Sequence, residues 1–265
     1  MTIFELLILA LIQGITEFLP VSSSAHLILP SVLIDGFQDQ GAMIDVAAHV
    51  GTLAAVVVYF REEVGQLMVG LRDFIQRRQS ADRQLFEVLV IATVPILIAG
   101  GVLAVTGFDA LLRNPALIGV ASIGFGLLLF LADRQPEFVT GHVSKRRSAL
   151  IIGLAQVLAL IPGTSRSGIT ITASRYLGYT RQDAAKFSML LAIPTISAFG
   201  LYAGYDLVSS GEDSDLSAAL IIAGFSFVAA LVAINLFLKA AQRFSFLPFV
   251  IYRIILGFVV LGVVI

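Results

Sequence analysis

Two strings of polar residues interrupt the apolar runs of this chain: Gln13-Gly-Ile-Thr-Glu17-Phe-Leu-Pro20-Val-Ser-Ser-Ser24-Ala-His26 and Pro162-Gly-Thr-Ser-Arg166-Ser-Gly-Ile-Thr170. The apolar stretch before the first, Ile3–Ile12, and the one before the second, Leu150–Ile161, are each too short to cross a bilayer. A spanning helix needs about 20 mostly apolar residues, and shorter runs read as re-entrant or interfacial segments. Hydroxyl-rich, Pro-broken backbone at membrane depth survives only where it lines a cavity or is buried in protein. Both strings therefore predict re-entrant hairpins.

The rest of the chain agrees with a membrane reading. Of its 265 residues 58% are hydrophobic and 13% charged, and the mean hydropathy is +0.95. A soluble domain carries about 25% charged residues, so a soluble enzyme, a disordered chain and a nucleic-acid binder are excluded. The net charge of −1 calls for no polyanionic partner. With no cysteine there is no disulfide framework, thiolate nucleophile or Cys-based zinc site. No cleavable leader is predicted, since the first basic residue is Arg61.

Six stretches are long enough to span: Ala42–Phe60, Gln84–Thr106, Pro115–Ala132, Ala184–Tyr205, Ser217–Leu238 and Leu247–Ile265. With the hairpins returning to their own side, loops 61–83 and 133–147, the Arg181/Lys186 region and Lys239–Arg243 share one side. They hold 13 of the 17 basic residues. Opposite lie Ser31–Gly41 with Asp35 and Asp39, Gly107–Asn114 with Arg113 alone, and the acidic Asp206–Asp215. That asymmetry makes the basic side cytoplasmic. The predicted fold is all-α: six transmembrane helices plus two re-entrant hairpins in a single membrane domain. Each hairpin precedes three spans, and the hairpins enter from opposite sides. An inverted-topology repeat follows, about 1–132 against 148–265. Leu19–Ser24 beside Ile161–Ser167, and Val94–Gly101 beside Ile193–Gly200, echo one another in support. Such repeats bring broken helices together near the midplane, where binding sites form.

Ionisable groups inside a membrane mark function by default. Gln13 and Glu17 are four apart and share one helix face. Beyond Pro20 come Ser22, Ser23 and Ser24, which either cap a helix or offer hydroxyl and N–H donors to an anion, and then His26, a titratable group. In the second string, Arg166 matches phosphate oxygens with a fork of donors, flanked by Thr164, Ser165, Ser167 and Thr170. Gly163 and Gly168 let backbone approach a ligand closely. Arginine, hydroxyls, a carboxylate and a histidine form the inventory for phosphoryl transfer. A structural Arg166–Glu17 pair across the repeat is compatible with that role. Asp45 and His49, at i, i+4, read as either a proton pair or a structural hydrogen bond, the structural one preferred; Arg253 reads as a snorkelling side chain, Arg175 as an anchor near the cytoplasmic surface and His142 as solvated.

The first string resembles the Glu/Gln-x-x-x-Glu signature, with its serines and histidine, of bacterial undecaprenyl-diphosphate phosphatases. The second resembles that family's PGxSRSxxT signature, and Phe246–Arg253 (FLPFVIYR) is similar too. The resemblance covers essentially the whole chain. It implies hydrolysis of undecaprenyl diphosphate to the monophosphate, recycling the cell-wall carrier lipid in the bacterial inner membrane, and bacitracin resistance on overproduction. It also implies a divalent cation, magnesium or calcium, on Glu17 and Gln13. Glu17, Ser23 and His26 would be catalytic and Arg166 the phosphate clamp: His26 could form a phosphohistidine, Ser23 could attack with His26 as base, or a metal-bound water could attack directly, with His26 ranked first as nucleophile or acid/base. Ser22, Ser24, Thr164, Ser165, Ser167 and Thr170 would bind substrate. Here Gln13 replaces the more acidic option, removing a charge. Membrane lipid and a second copy of the chain, as a homodimer, are the further expected partners, and the site is expected to open to the outside. An inverted repeat with paired hairpins is transporter architecture, and fold alone favours a transporter or flippase of an anionic polyprenyl lipid. The Glu17–His26 pair beside hydroxyls argues for hydrolysis, because moving an anion needs no nucleophile.

Overall fold

The computed structural model describes residues 2–27, 41–106, 114–210 and 216–264. Apart from one isolated bridge between Val139 and Tyr179, its regular structure is helical. In chain order the helices are α1 (Ile3–Thr16), α2 (Ala42–Tyr59), α3 (Arg61–Ile75), α4 (Ala81–Thr106), α5 (Pro115–Asp133), α6 (Arg146–Gln156), α7 (Arg166–Tyr176), α8 (Arg181–Ser210), α9 (Leu216–Arg243) and α10 (Leu247–Val264). Residues 23–27 are also helical, and a 3₁₀ turn (Val157–Leu160) follows α6. Among the described residues α2, α4, α5, α8 and α9 are long and apolar enough to cross a membrane, while α1 and α10 are shorter apolar helices. Asp35, Asp39, Arg113 and Glu212, on which the charge asymmetry partly rests, lie outside the described residues.

The packing explains how short, weakly amphipathic helices hold together. Helix α1 lies against α9, and α6 lies against α4. Both contacts depend on a glycine. A Cβ on Gly14 would stand 2.8 Å from the Ser226 carbonyl, and one on Gly153 would stand 2.6 Å from that of Ala92. Small residues permit such backbone approach where lipid gives no hydrophobic push between helices. Helices α2 and α8 meet in the centre, α2 also packs on α9, α8 on α4, and α5 on α10. Leu9, Val88, Ile152, Leu190 and Ile234 fill the interior, and Leu220, Val228, Ile255 and Phe258 face outward.

One element departs from expectation. Residues 61–83, read as a charged loop, contain the helix α3, which packs on α4. Its first turn carries Glu62 and Glu63 and its last turn Arg72, charges that complement the helix dipole. Met68, Phe74 and Ile75 remain exposed on it, the pattern of a helix lying along an interface. Charge density hid this amphipathicity.

Arg175, read as an anchor near the cytoplasmic surface, is buried. It is 1% exposed and donates to the carbonyls of Tyr179, Asp133 and Gln135. Asp133 in turn accepts from Arg181 and from the N–H of Phe246 at 3.0 Å. This knot ties the ends of α5 and α7 to the starts of α8 and α10. His142 is exposed, in accord with a solvated side chain.

Candidate active site

Helix α1 ends because Pro20 has no N–H to continue it. Glu17 caps the helix, its own N–H returning to the Gln13 carbonyl at 3.0 Å. Four-residue spacing puts both side chains on the inward face, where Gln13 Nε2 donates to Glu17 Oε2 at 2.9 Å. The chain then turns over Leu19–Val21 and re-enters a helix at 23–27. The second string repeats the device: α6, the 3₁₀ turn, Pro162, then α7. Each re-entry is preceded by a serine in the left-handed region, Ser22 at φ 73° and Ser165 at φ 69°. A side chain with a Cβ is held there at a cost in strain. Ser165 offsets part of it by accepting the Gly168 N–H at 3.1 Å. Where the tips meet, Ser167 Oγ donates to the Leu19 carbonyl at 2.7 Å.

Glu17 sits at the junction, 7% exposed. Its two oxygens are divided between partners. Oε1 accepts from Arg166 Nη2 at 3.2 Å, and Oε2 accepts from Ser23 Oγ at 2.8 Å besides Gln13. Arg166 is steadied by the Ser188 carbonyl at 3.2 Å, and Ser188 Oγ accepts from Thr170 at 2.8 Å. A cavity of about 430 Å³ opens in front of this pair. Glu17, Ser22, Ser23, Ser24, Ser165 and Arg166 line its polar end, and Ile96, Leu160, Ile196 and Phe199 line an apolar wall.

The predicted site residues thus divide into three groups. Glu17, Ser22, Ser23, Ser24, Ser165 and Arg166 share the cavity, with Gln13 directly behind. Ser167, Thr164 and Thr170 are buried supports of the second tip. His26 is not among the cavity-lining residues. Its Nδ1 donates to the Ser22 carbonyl at 2.7 Å, its Nε2 meets Tyr252 Oη at 2.5 Å, and its ring stacks on that of Tyr252. Both ring nitrogens are engaged behind the first tip.

The histidine on the cavity is His49, whose Nε2 stands 3.7 Å from Glu17 Oε2 while Nδ1 donates to the Asp45 carbonyl. Asp45 also lines the cavity. The pair's i, i+4 position inside an apolar span was a signal for this placement, and only the packing of α2 across the hairpin tips separated it from a purely structural pair. Arg253 does not snorkel. It is fully buried on α10 and donates to the carbonyls of Gly163 and Thr164, both at 2.8 Å, of Ser122 at 3.3 Å and of Pro20 at 3.4 Å.

The donor set fits a divalent cation brought in with a phosphate. Gln13 Oε1 is buried without a hydrogen-bond partner, a hard oxygen left over beside a carboxylate. Among the described residues no group of three acidic or histidine side chains forms a complete cage. Magnesium commonly takes one or two carboxylates and completes its shell with water and substrate phosphate.

The chain matches the family model described as bacitracin resistance protein BacA over residues 6–259. It is 49% identical over 265 residues to an undecaprenyl-diphosphatase of Ruegeria pomeroyi, covering 99% of both chains. To an undecaprenyl-diphosphatase of Dinoroseobacter shibae it is 49% identical over 98% of both. To undecaprenyl-diphosphatase 1 of Pseudoalteromonas translucida it is 48% identical over 97% of both.

Proposed function

This chain belongs to the bacitracin resistance protein BacA family, and from that premise we propose how it acts as an undecaprenyl-diphosphatase, releasing undecaprenyl phosphate and inorganic phosphate. The observation that carries the chemistry is the shared carboxylate: Ser23 Oγ donates to one oxygen of Glu17 and Arg166 holds the other. Arg166 takes the terminal phosphate, with hydroxyls of Ser22, Ser24 and Ser165 beside it. Ser23 Oγ attacks the terminal phosphorus, and its proton passes to Glu17 Oε2. The Oγ–P bond forms, the bond from phosphorus to the bridging oxygen breaks, and its electron pair leaves with the lipid monophosphate. Glu17 passes that proton to the departing lipid phosphate and is a carboxylate again; water then attacks the phosphoserine, Glu17 takes a proton from it and returns it to Ser23 Oγ as the Oγ–P bond breaks and inorganic phosphate leaves. An adjacent base is what activates a serine hydroxyl, and Glu17 is in hydrogen-bond reach.

Glu17 and Gln13 would hold the divalent cation, which when bound neutralises charge on the phosphate oxygens. His26 fixes the helical residues 23–27, and with them Ser23, against Tyr252 of α10. The apolar wall of Ile96, Leu160, Ile196 and Phe199 takes the first prenyl units, and the remaining tail lies in lipid.

The same reading covers the finer architecture. Six spans, α10 included, and two re-entrant hairpins make an inverted repeat, 1–132 and 148–265. Its support is the matched packing of α1 on α9 and α6 on α4. The basic segments face the cytoplasm of the bacterial inner membrane and the cavity opens outward. Phosphate release from a polyprenyl diphosphate by the purified protein with magnesium is the test. We expect turnover that is lost in Ser23→Ala and Glu17→Gln. No release by the wild type, or wild-type rates in Ser23→Ala, would overturn the assignment.

A further inference from the structure

Arg253 carries a buried positive charge, and among the described residues it has no carboxylate partner. Breaking a buried ion pair leaves an uncompensated charge at considerable cost, so an arginine seated this way from the start needs a reason. Four backbone carbonyls solvate its guanidinium, and they come from three places in the fold: Pro20 in the first tip, Gly163 and Thr164 in the second, and Ser122 on α5. Only a planar fork reaches several acceptors at fixed angles.

The consequence lies in the peptide that the fork holds. In a trans peptide the C=O and N–H point in opposite directions, and the chain has no cis bond among the described residues. Drawing the Thr164 carbonyl toward Arg253 therefore turns the Ser165 N–H away from the guanidinium, and Ser165 and Arg166 line the cavity. Ser165 stands at φ 69°, a strained conformation that persists only when its surroundings over-determine it. Gly168 belongs to the same device, because a Cβ there would stand 2.7 Å from Arg253 Nη1.

On the basis of the catalytic reading above, we propose that Arg253 is a positioning residue of the diphosphatase. It locks the Gly163–Ser167 tip in its anion-accepting form and ties it to the first tip through Pro20.

Two variants of the full chain test this, Arg253→Lys and Gly168→Ala. Lysine keeps the charge and loses the fork. Alanine at 168 favours helix by propensity and crowds the guanidinium. Three quantities are read: the melting temperature, the affinity for inorganic diphosphate measured by thermal-shift titration with magnesium, and kcat and KM for a polyprenyl diphosphate. We expect both variants to fold, to bind inorganic diphosphate at least about tenfold more weakly, and to lose about 100-fold in kcat, in line with losing one preorganised donor. A merely structural arginine would lower the melting temperature of Arg253→Lys and leave diphosphate affinity at the wild-type value. Wild-type affinity in either folded variant overturns the inference, and Gly168→Ala carries the test if Arg253→Lys fails to fold. Weakened diphosphate binding in the variants of a wild type that releases no phosphate would refute hydrolysis and leave the positioning role standing.

Discussion

Glu17 is the residue on which the site turns, because its two oxygens serve different partners. In the proposed mechanism Arg166, held on Oε1, clamps the phosphate, and Ser23, held on Oε2, is the hydroxyl that the same carboxylate deprotonates. Arg166→Lys keeps a charge but loses the fork that joins Glu17 to the Ser188 carbonyl. Loss of one preorganised donor to developing charge costs about 2.7–4 kcal/mol, so steady-state kinetics should show kcat down by about two to three powers of ten. His26→Ala should behave differently. Its ring sits against Tyr252 outside the cavity lining, and its loss should reduce kcat by about tenfold or less and leave KM near wild type. Loss as complete as in Ser23→Ala would put the imidazole on the reacting phosphate and refute the positioning role. The two histidines show the limit of reading residues by motif. His26 stands in the signature and is paired with the Ser22 carbonyl and Tyr252, whereas His49 stands outside it and lies 3.7 Å from Glu17.

Among the elements, the buried polar knot at the end of α5 joins four helices away from the cavity-lining residues. Asp133 holds Arg181, faces Arg175 at 3.9 Å and accepts from the backbone of Phe246. Removing one member of a buried charged group costs about 3–5 kcal/mol, because the others are left unpaired. Asp133→Ala should therefore lower the midpoint of denaturation in detergent, while the folded fraction keeps its KM. A changed KM at unchanged stability would show that the knot reaches the site. Close helix approach is tested at Gly153, where a side chain would meet the Ala92 carbonyl of α4. Gly153→Leu should push α6 off α4 and cost both stability and turnover, since α6 leads into the Arg166 tip.

At the scale of the molecule, α1 and α6 each pack on a spanning helix from the other half of the chain, and their tips join through Ser167 and the Leu19 carbonyl. Neither half can build the cavity alone, because Glu17 comes from one and Arg166 from the other. The orientation is tested with single cysteines in a chain that has none of its own. A cysteine at the exposed Thr106 or Asn114 should react with an impermeant maleimide in intact spheroplasts, and one at the exposed Arg78 or Lys145 only after permeabilisation. The reverse labelling would invert the proposed topology and put the cavity on the cytoplasmic side.

The sequence by itself determined the solvent, the broken helices and the inventory of the site. Hydropathy and the two Pro-interrupted strings are local properties, and a span too short for a bilayer is too short whatever it packs against. The same locality misread residues 61–75, where charges at both helix ends masked one apolar stripe. Tertiary structure alone decided which ionisable groups face one another. His26 and His49 are equally plausible on a helical wheel, and Arg253 reads from its neighbours as a snorkelling side chain. Where each side chain points depends on the rotation of α2 and α10 against the hairpin tips, and that rotation is set by long-range packing such as Gly51 on the Ala223 backbone. Nothing in the residues adjacent to Arg253 could reveal that its fork would close on carbonyls about 90, 130 and 230 positions away along the chain.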